Sequence, residues 1–235
     1  MIHVDPIPEP EGFDAEVRQR GQVWLAEHPT TARPRPLWSP YLSHLATGFR
    51  HLCAYSAMHV ADDGTVDHYR SCATHRALAY EWPNYRFASA RMNSIKGTAN
   101  DRVLDPFEIG DDWFDILLPS LQMVPTDRIA PEQRERVTFT LERLGLRDGE
   151  SILRRRRAWY EQFLLGGQSL HGLRHHAPLI ARAVEKRLSQ IDPARFGESV
   201  AHYERLLRSE LTFPGLKSAA PEVFLIVEAA LRASP

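Results

Sequence analysis

Asp67 and His68 are adjacent in "GTVDHYRS", residues 64–71, and Asn84, Asn93 and Lys96 follow at intervals of 16, nine and three. An Asp carboxylate and an Asn carbonyl are hard oxygen donors, suited to one divalent cation such as Mg²⁺ or Mn²⁺ whose other positions go to water and phosphate. A histidine beside them can take a proton from an attacking water without a large pKa shift. Asn84 would fix a loop or the His68 ring by hydrogen bonding, and Lys96 would balance phosphate charge. That chemistry is metal-assisted hydrolysis of a phosphodiester.

Such a set works only if the chain positions it. "GTVDHY" reads as a short strand, in which Asp67 and His68 point to opposite faces. "CAYSAMHV" is a second β-capable run, separated from it by the turn signal "ADDG". "RSCATHRALAYE" is irregular, "WPNYRFASA" holds the next strand, and "RMNSIKGTAND" a short helix ended by Gly97. Asp67 is expected to face the helix carrying Asn93, and His68 to face the water. The neutral alternative is a strand–loop–helix with exposed amides, with Asn84 a turn residue after Pro83.

"VDHY", "WPNYRFAS" and "MNSIKG" resemble the signature of the HNH (ββα-metal) endonucleases over roughly residues 52–100. The resemblance implies Asp67 and Asn93 as metal ligands, His68 as general base, Asn84 as the residue that orients the base and its loop, and Lys96 as a phosphate contact. "VRQRGQVWL", "CAYSAMHV", "VLDPFEIGDDWFDI" and "LERLGL" are further similar to a bacterial anti-phage subgroup, the nuclease partner of an ATPase in Septu and related retron operons. An ATPase partner from the same operon is thereby implied. Many family members carry a zinc held by two Cys-x-x-Cys pairs. Here Ser56 stands where the first pair would end, and Cys53 and Cys72 are the only cysteines, so no structural zinc is expected.

The surroundings bear on the substrate. Arg70, Arg76, Arg86, Arg91 and Lys96 face only Asp67 and Glu81 across residues 64–100, an excess that suits a polyanion. Arg86 and Arg91 join Lys96 as candidate nucleic-acid contacts, with ordinary surface charge as the alternative. "RRRR", residues 154–157, spreads over all faces of a helix, to grip a backbone or to pair with Glu150 and Glu161. Trp82 and Phe87 read as core anchors, and "DPFEIGDDWF", residues 105–114, as an acidic loop packing on the core. Nucleic acid is the expected partner, DNA before RNA such as a tRNA. A non-cleaving module that keeps the fold is the other class to test.

The 235 residues are 25% charged and 43% apolar with net charge −1, the profile of a soluble globular chain. Residues 1–130 carry 12 Lys/Arg against 17 Asp/Glu, and residues 131–211 carry 15 against 11, too mild an imbalance for a polybasic tail. The N-terminus lacks a basic region and an apolar run, so no signal peptide is expected. No stretch suits a membrane span, and the two cysteines suit a reducing compartment; the expected location is the cytoplasm. The expected fold class is α+β. Helical segments occupy 1–52 (14–27, then Ser39-Pro40 to about Leu52), a small ββα core with its acidic, aromatic loop occupies 53–125, and 126–235 is helical. In that last region helices are predicted over 131–145, 151–165, 178–190, 198–211 and 221–232.

Overall fold

A computed structural model describes residues 1–233 and shows an α+β chain. Its contacts divide into two compact units. The first comprises residues 1–111 and 129–144; the second comprises 112–128 and the chain from Gly145 onward. The expected boundaries at 52 and 125 do not coincide with these, because the N-terminal helices pack with the middle segment and residues 129–144 join them.

In the first unit, a π-helical turn at Asp14–Gln19 runs into α1, Arg20–Glu27, with Val17 buried. Asp14 does not cap it: its carboxylate pairs with Arg18 and Gln19 instead. Gly21 lies so close to the Tyr80 ring that a Cβ there would sit 2.2 Å from its carbons. A 3-10 turn at Ser39–Tyr41 leads into α2, Leu42–Gly48. This helix stops earlier than predicted, because Arg50 and His51 adopt positive φ. The β-capable run "CAYSAMHV" is not a strand. It makes one bridge, Leu52 to His59, and closes a turn in which Cys53 N–H donates to Met58 O and Ala57 N–H to Cys53 O.

Strands β1, Thr65–His68, and β2, Tyr85–Ala88, pair antiparallel in the register Asp67↔Arg86 and His68↔Tyr85. Helix α3, Ala90–Lys96, follows at once. Ser89 caps it by accepting from Met92 N–H, and Gly97 ends it at φ 53°. Helix α4, Arg134–Arg143, completes the unit.

The second unit contains a hairpin where the sequence predicts a loop: β3, Phe114–Leu117, paired with β4, Gln122–Pro125. Its inward residues are Phe114 and Ile116 on β3 and Met123 on β4. Helices α5 (Glu150–Leu164), α7 (Pro178–Leu188), α8 (Val200–Leu207) and α10 (Pro221–Arg232) lie where periodicity put them. Two short helices, α6 (Leu170–His176) and α9 (Phe213–Ala219), were not expected. Each contains a glycine that disguises it, yet that glycine's N–H is the group its cap (Ser169 or Thr212) holds. Within "RRRR" the arginines diverge. Arg156 is buried and donates to the carbonyls of Leu121 and Arg147, while Arg154 and Arg157 are exposed. Among the described residues, no helix is long and apolar enough to cross a membrane.

Candidate functional site

The pairing of β1 with β2, and the crossing of α3 over β1, bring four of the five singled-out side chains around one strand. His68 is held from three sides. Its Nε2 lies 2.8 Å from the Ala79 carbonyl, which can only accept, so Nε2 carries the proton and Nδ1 is the basic nitrogen. Trp38 and Tyr85 close on the ring edge-to-face, at 4.6 and 5.0 Å between centroids. Burial pulls the His68 pKa below its ordinary value, against the opposing pull of the Ala79 carbonyl. Burial thus favours the neutral ring, the form a base needs.

Asn84 holds the long loop between the strands rather than the ring itself. Its Oδ1 accepts from Arg70 N–H at 2.8 Å, and its Nδ2 donates to the carbonyls of Arg70 and Leu78 at 3.0 and 3.1 Å. The next carbonyl along, Ala79, is the one that orients His68 and also accepts from the Tyr85 hydroxyl. Asn84 thus acts on His68 through the loop. Replacing it by alanine leaves one N–H and two carbonyls without these partners, and we expect a loss of about 2 kcal/mol in chemical denaturation.

Asp67 is 1% exposed. One carboxylate oxygen accepts from the Lys96 ammonium at 2.9 Å and the other from the Tyr55 hydroxyl. Burial and the Asp67 charge hold the Tyr55 phenol well above its usual range, so it remains a donor. Asn93 donates from Nδ2 to the Val66 carbonyl at 3.2 Å, which commits the amide nitrogen and leaves Oδ1 as an acceptor. Asp67, His68 and Asn93 line one cleft of about 530 Å³.

The donor chemistry fits a hard divalent cation. Asp67 and Asn93 both border the cleft, and each Asp67 oxygen keeps a second lone pair beyond its present hydrogen bond. Among the described residues no group of three or more His, Cys, Asp or Glu is gathered for a metal; the pair here is one carboxylate and one amide. Cys72 also borders the cleft, and burial raises its thiol to about 11, so it is neither thiolate ligand nor nucleophile at neutral pH.

The cations are placed differently from expectation. Lys96 is fully buried, bound to Asp67 and to the His68 carbonyl at 2.8 Å. It braces the strand from behind, and in that position it does not reach a phosphate. Arg86 is 3% exposed and locked two-pronged onto Asp105, with its guanidinium 3.6 Å above the Phe107 ring. It too is unavailable to nucleic acid. Arg91 is exposed on the first turn of α3 but does not border the cleft. Sequence reasoning missed Tyr55 and Trp38. Their contacts are with residues 12 and 30 positions away, and no local pattern marks them. No protein-family model matches the chain, and no curated protein is similar enough to count as a match.

Proposed function

We infer that the chain is a metal-dependent endonuclease of the HNH (ββα-metal) type, hydrolysing nucleic-acid phosphodiester bonds, with DNA as the first substrate to test. The observation that carries this reading is the convergence of a tautomer-fixed histidine with two residues bearing oxygen donors on a strand–strand–helix unit. His68 takes the proton of an attacking water at Nδ1. The Ala79 carbonyl stabilises the imidazolium that results, because its bond from Nε2–H strengthens as the ring gains charge. Asn84 keeps that carbonyl in place. Asp67 and Asn93 would hold a Mg²⁺ or Mn²⁺ ion, which when bound neutralises charge on the scissile phosphate and the leaving oxygen. Lys96 and Tyr55 hold the Asp67 carboxylate in one orientation, and the Val66 carbonyl does the same for the Asn93 amide.

The ligand assignment has its own test. Asn93→Ala should move the midpoint of a Mg²⁺ titration of cleavage about tenfold higher, the order expected for losing one neutral oxygen donor. An unchanged midpoint would remove Asn93 from the ligand set.

A further inference from the structure

The cleft beside His68 has a wall that belongs to neither the strands nor α3. It is the Pro-rich connector between α1 and α2, which contributes Ala32, Arg33, Pro34 and Trp38. Proline content alone suggests an irregular tether, but this segment is tied down at both ends. Arg76, from the loop between β1 and β2, donates to the carbonyls of His28 and Thr31. The Tyr80 hydroxyl donates to the Arg35 carbonyl at 2.9 Å. Between these ties the chain has little freedom, because Pro34 fixes its own φ, and Pro34 and Pro36 bias Arg33 and Arg35 before them toward extended backbone. Trp38 then packs on the His68 ring.

Arg33 lies between the ties. It is exposed, it is the one Lys or Arg among the residues bordering the cleft, and it makes no hydrogen bond or ion pair among the described residues. Of the other cations across residues 64–100, Arg91 does not border the cleft and the rest are paired elsewhere. Lys96 is held by Asp67, Arg86 by Asp105, and Arg76 by the connector itself, while Arg70 lies 3.7 Å from Asp101.

The geometry points to the connector as a substrate-binding strap in which Arg33 receives a nucleic-acid phosphate at the cleft beside His68. The inference rests on the nuclease reading and names the residue that supplies its missing phosphate contact. A guanidinium can grip two phosphate oxygens at once. Holding its backbone in place beforehand lowers the ordering cost on binding.

The test is fluorescence anisotropy of the full-length His68→Ala protein with a short labelled DNA duplex across a salt series, repeated with a short RNA. Cleavage is measured in parallel with His68 intact. Arg33→Gln should weaken binding about 10- to 100-fold and lower the slope of log K against log salt by about one phosphate. Arg33→Lys should keep the slope and lose part of the affinity. Arg20→Gln, an exposed arginine on α1 that does not border the cleft, should change neither. If the wild type cuts while Arg33→Gln binds and cuts equally well, or binds more weakly with an unchanged slope, the strap assignment falls and the nuclease reading stands. If the wild type neither binds nor cuts DNA or RNA, both fall.

Discussion

Replacing His68 by alanine is expected to lower phosphodiester cleavage by about 10²–10⁴-fold, the contribution of a positioned general base, while leaving nucleic-acid binding nearly intact. The ring's place in the structure explains why the effect should be kinetic. Its Nε2 is tied to the Ala79 carbonyl, and burial holds its pKa below the ordinary value, which favours the neutral base. Losing the ring also leaves space beside Trp38 and Tyr85, so folding must be checked by circular dichroism. His68→Gln serves as a second variant: its amide can donate to Ala79 as the imidazole does but has no comparably basic nitrogen. Both variants should bind the substrate and cut it slowly. A His68→Gln protein that cuts at the wild-type rate would remove His68 from the chemistry.

Lys96→Met should be costly to the fold, by about 3–5 kcal/mol, because removing one partner of a buried ion pair leaves the other uncompensated. Methionine keeps the unbranched shape, so the change isolates the ammonium. What remains is an Asp67 carboxylate 1% exposed with the Tyr55 hydroxyl as its remaining donor, and a His68 carbonyl that has lost the Lys96 hydrogen bond. The Lys96→Met/Asp67→Asn double variant should recover much of the loss, which a double-mutant cycle in urea would measure as coupling. If Lys96 were a phosphate contact, the single variant would instead keep its stability and lose salt-dependent affinity. Unchanged urea midpoints would contradict the buried pair.

These two expectations separate what the sequence makes legible from what it does not. The order strand, loop, strand, helix can be read from the β-capable runs "GTVDHY" and "WPNYRFASA", with Trp82 and Phe87 as anchors and Gly97 as a stop, because these are local signals of pattern and punctuation. Asp67 and His68 pointing to different partners follows from strand alternation alone. Side-chain pairing across the fold has no such local mark. Lys96 and Arg86 count as surplus charge along the chain. In three dimensions they neutralise Asp67 and Asp105, 29 and 19 residues distant. The reverse holds for Arg33, which sits in a stretch too rich in proline to be regular. There the ties from Arg76 and Tyr80 supply the order, and neither is visible in the local pattern. The hairpin of Phe114–Leu117 and Gln122–Pro125 is hidden by its flanks, because the acidic run before it and the prolines at 119 and 125 carry the punctuation of a loop.

The most direct measurement is incubation of the purified wild-type chain and its His68→Ala variant with plasmid, linear DNA and total RNA, in Mg²⁺, in Mn²⁺ and in EDTA. The expected result is cleavage of nucleic acid by the wild type in Mg²⁺ or Mn²⁺, none in EDTA, and cleavage by the variant lower by about 100-fold or more in either metal. Which substrate is cut decides between DNA and RNA. Cleavage that survives EDTA, or that is equal in the two proteins, would contradict the proposed chemistry, and intact substrates in every lane would favour a binding module over an enzyme.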